Sequence, residues 1–365
     1  MEELYRYSLN VILQNQKESG AILASPNFPI YQYSWFRDGS FSAYALLQAG
    51  YVQEAGRFHL WAGGVILRFQ EKMQRCITDA KAGRPLVASA CLHSRFTVEG
   101  EEVPGNWGHH QLDGLGTWLW SLGEFMKSIP DPAAYEPCLQ AAELAAAYLS
   151  ALWMLPCSDC WEENETLKHT YTLSAVYAGL RSYAELSGNV DALRMAQRVQ
   201  EFILTTCQTQ GVFEKSIGLS GVDANLLGLC TPYAVISWDD AVFQNTLSRI
   251  EADLATPVGL HRYREDTYYG SGEWVLLTAW LGWVYARAGQ LEKAKAIAAW
   301  VEAQQDAQGN LPEQVPHGLY NEEEYAAWLQ RWGPIATPLV WSHAEYVILI
   351  KAIEAEENRR NAGGN

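Results

Sequence analysis

Two short carboxylate-bearing segments lie far apart in the chain, Asp159-Cys160-Trp161-Glu162-Glu163 and Leu311-Pro312-Glu313-Gln314. In the first, three carboxylates within five residues repel one another beside an indole ring. That setting raises one carboxyl toward neutrality and makes it a proton donor near pH 7. Glu313 supplies a second carboxylate. One acid to protonate a leaving oxygen and one base to activate water are what hydrolysis of an acetal with inversion requires, held about 6.5–9.5 Å apart to admit the water. Each segment alone has an ordinary explanation: acidic residues ahead of a helix favour the positive end of its dipole, and a Pro-Glu pair is a common turn.

Other segments add groups suited to a polyhydroxyl ring. Tyr31-Gln32-Tyr33-Ser34-Trp35-Phe36-Arg37-Asp38 sets five guanidinium donors and a carboxylate acceptor beside two ring faces, which suits a hexose, although Asp38 is equally placed to cap a helix. Asn106-Trp107-Gly108-His109-His110-Gln111-Leu112-Asp113-Gly114 repeats the combination of indole, amide and carboxylate. Its adjacent histidines point in different directions and have no acidic partner at ligand spacing, so they favour packing or substrate contact over a metal. Arg262-Tyr263-Arg264-Glu265-Asp266-Thr267-Tyr268-Tyr269 and the later Trp341-Ser342-His343-Ala344 complete the set. Cys157 and Cys160 have CxxC spacing but no second pair, which argues against zinc or redox use.

The elements that must position these groups are helical. Apolar residues recur at helical spacing over about 2–19, 39–50, 53–72, 112–127, 133–154, 167–187, 190–208, 237–254, 272–288, 290–304, 321–333 and 337–355, predicting twelve helices or so. Strand-like stretches are few, and the best of them, 86–98, is short and imperfectly alternating. Short joints such as Ser187-Gly188-Asn189 and Ala288-Gly289 indicate helical hairpins, and six of these can close into an all-α (α/α)6 toroid. The chemistry-bearing residues fall in the longer connections, 20–38, 98–111, 155–166, 209–235, 255–271 and 306–320, where a rigid scaffold carries its sites.

With 365 residues, 48% of them hydrophobic, the chain is long enough to bury a large core, and one domain over 1–365 is expected. Forty-two acidic against 26 basic residues leave a net charge of -16, which opposes binding to nucleic acid or anionic membrane surfaces. The 15 Trp and 19 Tyr supply faces for sugar C–H groups or for core packing. The start, MEELYRYSLN, shows no secretory pattern, no apolar run is long enough to span a bilayer, and the seven Cys are scattered and odd in number. These features predict a cytoplasmic protein with reduced thiols.

Taken in order, five blocks resemble glycoside hydrolase family 15, the glucoamylase and glucodextranase family. Trp35-Phe36-Arg37-Asp38 with Tyr31 resembles its W-x-R-D block, and Trp107 through Gly114 its W-G-x-x-Q-x-D-G block. Asp159 through Glu163 resembles D-x-W-E-E, Arg262 through Tyr269 resembles R-Y-x-E-D-x-Y-Y, and Glu313-Gln314 the E-Q pair. The resemblance implies an (α/α)6 barrel, Glu162 as general acid and Glu313 as general base. It also implies sugar contacts from Tyr31, Trp35, Arg37, Asp38, Trp107, Gln111, Asp113, Asp159, Trp161, Glu163, Arg262, Gln314 and Trp341. The expected reaction is inverting release of β-glucose from the non-reducing end of soluble α-gluco-oligosaccharides, with no metal or organic cofactor. No starch-binding module or N-terminal β-sandwich accompanies the blocks, so soluble substrates are expected over starch, with linkage and oligomeric state left open. A sugar-binding regulatory domain on the same toroid is the alternative from another class, and a zinc-dependent enzyme on such a toroid is disfavoured by the sparse Cys and His.

Overall fold

The helices divide by how they bury their residues. Val275–Arg287 reads VLLTAWLGWVYAR and is buried from Val275 through Ala286, so it meets water on no side and must be enclosed by other helices. Val190–Thr206 buries only Ala192, Ala196, Val199 and Ile203, a single stripe that covers an inner layer from outside.

The structure is a computed structural model that describes residues 1–105 and 107–363. Asn106, which opens the second sequence block, lies outside the described residues. The described helices are α1 (Glu2–Asn15), α2 (Phe36–Gln48), α3 (Val52–Arg68), α4 (Gln70–Lys81), α5 (Asp113–Ser128), α6 (Glu136–Leu152), α7 (Thr170–Ser187), α8 (Val190–Thr206), α9 (Ala241–Leu254), α10 (Val275–Arg287), α11 (Leu291–Glu302), α12 (Glu322–Trp332) and α13 (Val340–Gly363). An inner ring runs α2, α5, α7, the 3-10 helix Ala224–Leu229, α10 and α13, and closes from α13 back onto α2. Around it stand α1, α3 with α4, α6, α8, α9 and α11, so the chain alternates outer and inner six times. This is the expected (α/α)6 toroid.

Three details of the helices differ from expectation. The fourth inner element is not an α-helix but the six-residue Ala224–Leu229, inside the stretch 209–235 predicted as a connection. Pro232 follows closely, lacks an N–H and ends any helical continuation, yet all six residues are buried. The helix predicted over 321–333, α12, stands outside the ring and fully buries no residue. The predicted helix over 53–72 divides at Phe69, and α4 continues to Lys81 on the stripe Met73, Cys76, Ile77.

The predicted strand over 86–98 shrinks to β2 (Arg95–Phe96), paired antiparallel with β1 (Ser34–Trp35). Cys91 and Leu92 are both buried although adjacent, which breaks the alternation a strand needs. A second ladder is β3 (Gln208–Thr209) with β4 (Val212–Phe213), and a third is β5 (Glu273–Trp274) with β6 (Gln314–Val315). β1 leads directly into α2 and β5 into α10. The first and third ladders therefore clamp the connections at the N-terminal end of the inner ring. No described helix is long and apolar enough to cross a membrane.

Candidate active site

The N-termini of the inner elements gather the chemistry-bearing residues. Arg37 and Asp38 lie in the first turn of α2, Asp113 opens α5, Asp223 precedes Ala224–Leu229, Trp274 precedes α10, and Trp341 lies in the first turn of α13. Helix N-termini carry partial positive charge and unpaired N–H groups. An acid-rich pocket gains from sitting at that end.

Arg37 is buried among acceptors. Its Nη1 donates to Gln111 Oε1 at 3.0 Å and to Asp113 Oδ2 at 3.1 Å, and its Nη2 lies 3.3 Å from Asp38 Oδ2. Burial opposes the guanidinium charge, but Asp38 and Asp113 more than offset it and hold the group firmly protonated. Gln111 and Asp113 do not line the cavity; they orient Arg37, which does.

Two glutamates meet a pair of rings. Tyr31 and Trp35 pack edge to face with centroids 5.8 Å apart. Trp35 Nε1 donates to Glu162 Oε1 at 2.6 Å, and the Tyr31 hydroxyl to Glu313 Oε1 at 3.2 Å. Both carboxylates line one cavity. Glu162 sits at φ 72°, left-handed geometry that an L residue adopts at some cost and that recurs at functional sites. Gly108 lies close against it: a Cβ there would meet the Glu162 carbonyl oxygen at 2.6 Å, so glycine is required for this approach.

The loop bearing Glu162 is tied down from behind. Asp159 Oδ1 accepts the backbone N–H groups of Trp161 and Glu163, each at 2.9 Å. Lys215, buried in the connection after β4, lies 3.4 Å from Asp159 Oδ2 and 3.3 Å from Asp223 Oδ2. Asp223 in turn accepts the Trp161 indole N–H at 2.8 Å. Glu163 receives Arg262 Nη2 at 2.9 Å and the hydroxyl of Tyr263. Arg262 also pairs with Asp266, and its guanidinium carbon lies 5.1 Å from the ring centres of both Trp161 and Trp274. Removing the cation that faces both Asp159 and Asp223 leaves two carboxylates buried together. Lys215→Met is therefore expected to cost about 3–5 kcal/mol of stability, measured by denaturant unfolding; an unchanged midpoint would exclude the tie.

The carboxyls are shifted by their surroundings. Burial pushes Glu313 up to about 8, against the pull of the Tyr31 hydroxyl, Arg262 and Tyr268. Burial also raises Glu162, opposed by Arg37 and by donors from Gln111 and Trp35. Asp223 is raised to about 6 by burial, with Lys215 opposing. Perturbed acids around one cleft mark a functional site.

The cavity has a volume of about 350 Å³, within the range of small-molecule sites. Of the residues singled out in the sequence, Tyr31, Trp35, Arg37, Asp38, Trp107, Trp161, Glu162, Glu163, Arg262, Glu313 and Trp341 line it. Asp159 and Gln314 stand behind it, Gln314 tying Gly272 N–H to its Oε1 at 2.8 Å. Sequence reasoning missed Arg95, whose guanidinium carbon stacks 3.8 Å from the Trp107 ring centre, and also Lys215, Asp223 and Trp274. It assigned no role to Trp328, Arg331 and Trp332 of α12, which line the cavity as well. A lysine with two aspartates spread over 159–223 leaves no local signal. Trp328 and Trp332 stand four residues apart on an amphipathic helix, a spacing that marks a shared face but no particular role. Among the described residues no group of three or more His, Cys, Asp or Glu converges as metal ligands do; Cys157 and Cys160 are unpaired and buried.

Residues 1–351 match the family described as glycosyl hydrolases family 15. An isomaltose glucohydrolase of Kribbella flavida is 36% identical over 356 residues, which cover 96% of this chain and 92% of that protein. A solved glycosidase, a glutamate-to-alanine variant in complex with glucose, superimposes with a TM-score of 0.92 at 35% identity over 96% of both chains. A bacterial glucoamylase complexed with acarbose has a TM-score of 0.75 at 21% identity, over 96% of this chain and 55% of that one, a likeness of fold.

Proposed function

The chain belongs to glycosyl hydrolases family 15 and is a glycoside hydrolase, and on that premise we propose that it is an inverting, exo-acting α-glucosidase. The proposed reaction releases β-glucose from the non-reducing end of soluble α-gluco-oligosaccharides, with isomaltose the first candidate because a relative covering almost the whole chain is an isomaltose glucohydrolase. The observation that carries the reading is the Tyr31–Trp35 ring pair, each ring donating to one of two glutamates that face the same cavity. The related glycosidase solved with glucose supports a glucose-sized pocket. Single-domain organisation over 1–365 and a cytoplasmic setting belong to the same proposal.

In the proposed mechanism Arg37 and Asp38 read hydroxyls of the terminal glucose, with Trp35, Tyr31, Trp107 and Trp341 around it and Arg262 toward the cleaved bond. Glu162 gives its proton to the glycosidic oxygen as the bond from that oxygen to C1 breaks. A water attacks C1 from the opposite face and passes its proton to Glu313, so the new C1–O bond has inverted configuration. One proton leaves Glu162 and one arrives on Glu313, and exchange with solvent restores both. The two carboxyls carry both transfers, and the reading assigns no metal or organic cofactor.

Glu313 works as a base only when ionised, so kcat/KM is expected to rise with pH through its raised pKa, placing the acid limb well above 4.5, the ordinary value for a glutamate. Tyr31→Phe removes a donor that favours the anion, raises that pKa further, and moves the acid limb to higher pH by about one unit. A limb that stays in place or moves toward acid would separate Tyr31 from the base.

Proton NMR of the protein with isomaltose, maltose, trehalose and short malto- and isomalto-oligosaccharides tests the reading. Early β-glucose from one of them establishes inversion and names the linkage. No glucose from any of them replaces the reading with a sugar-binding domain.

A further inference from the structure

α12 is a helix without a structural duty in the ring. It stands outside the inner and outer layers and fully buries no residue. Trp328, Arg331 and Trp332 nevertheless follow one another at i, i+3 and i+4, share one face, and all line the cavity. The opposite end of the helix carries the exposed Glu322 and Glu323.

The helix is held firmly over that position. Asn321 caps it, accepting the Glu324 N–H at 3.0 Å, and the Gly270 carbonyl accepts the N–H groups of Tyr320 and Asn321 at 3.0 and 3.2 Å. Gly270 has φ +69°, and a Cβ there would strike the Asn321 carbonyl at 2.3 Å and Tyr325 Cβ at 2.9 Å. Trp328 packs on Tyr268 with centroids 5.0 Å apart, and Tyr268 shares a 2.9 Å hydrogen bond with Tyr31. α12 is thus coupled to the rings that hold the two glutamates.

Depth in the cavity decides what α12 touches. Arg37, Arg262, Glu313 and Trp341 are buried at its floor, whereas Trp328 and Trp332 are half-buried and Arg331 is exposed. A substrate whose terminal glucose fills the floor presents its leaving group toward the rim. The Arg331 guanidinium carbon lies 5.3 Å from the centre of each flanking indole. Among the described residues no protein acceptor takes its N–H groups.

We infer that Trp328, Arg331 and Trp332 form the subsite for the leaving group and select α-glucosides whose leaving group is itself a sugar ring. The indoles offer apolar faces to the ring C–H groups, and Arg331 donates to its hydroxyls. This inference rests on the proposed hydrolysis. It adds a recognition element in a segment whose spacing marks it only as an amphipathic helix.

The test compares the full chain with Trp332→Ala, Arg331→Gln and Trp332→Phe on isomaltose and on α-glucosyl fluoride, whose leaving group is a single atom that reaches no rim subsite. Trp332→Ala is expected to lower kcat/KM on isomaltose about 30-fold, the loss typical of a buried aromatic anchor, and to leave the fluoride unchanged within about twofold. Arg331→Gln shows the same selectivity to a smaller degree, and Trp332→Phe restores most of the isomaltose activity. Equal losses on both substrates, or none on isomaltose, would overturn the inference. Failure of the underlying reading looks different, since the unsubstituted chain would then release glucose from neither substrate, and the inference would fall with it.

Discussion

Glu313→Gln is expected to lower kcat by about 10³- to 10⁴-fold on every substrate, the upper range for loss of a positioned general base. The amide keeps the size of the side chain, and its oxygen still accepts from the Tyr31 hydroxyl, now 3.2 Å from Glu313 Oε1. The buried ring pair and the cavity floor are retained. What is lost is the capacity to take a proton from water, because a primary amide is not a base near neutral pH. Glucose binding, followed by calorimetry, should therefore change little while turnover collapses. Unchanged turnover would remove Glu313 from the mechanism, and a collapse of binding along with turnover would make it a structural residue.

Glu162→Gln should produce a loss of similar size on isomaltose, with a different dependence on substrate. An alkoxide is a poor leaving group and needs the proton in the transition state, whereas fluoride departs with little help. Activity on α-glucosyl fluoride is thus expected to survive Glu162→Gln within about tenfold and to be lost in Glu313→Gln, since general acid and general base act on different bonds. The Trp35 indole N–H lies 2.6 Å from Glu162 Oε1 and would hold the amide oxygen in the same place, so geometry is not the variable. The reverse pattern of survival would exchange the two roles.

Much of the ring was legible along the chain. The stripe of α8 and the unbroken apolar surface of α10 belong to local sequence, and the short joints between helices point to hairpins. The 3-10 helix Ala224–Leu229 was not legible as an inner element, because six residues hold too few turns for a period to show. α12 has the pattern of any amphipathic helix, and its place outside the ring follows from its anchors at Gly270 and Tyr268, not from its own residues.

The candidate site was legible as chemistry and not as geometry. Gln111, Asp113, Asp159 and Gln314 are polar residues in the expected blocks, yet they stand behind the cavity and hold groups that line it, Gln314 by donating to the Tyr268 carbonyl. Arg95 enters through β2, where it pairs with Trp35, from a stretch whose sequence predicted a longer strand.

By itself the sequence determined the kinds of group available: acids beside indoles, an arginine next to an aspartate, and helices whose apolar stripes are set by a period of about 3.6 residues. The tertiary structure alone decided which of them meet. Tyr31 and Glu313 are 282 positions apart and touch because ring closure carries α13 back onto α2 and gathers the connections at one end of the toroid. Spacing along a chain sets distance only within a turn or two of helix. The burial that raises Glu162 and Glu313 likewise exists only once the ring has closed and water has left its end, because desolvation depends on every neighbour in space and not on those adjacent in sequence.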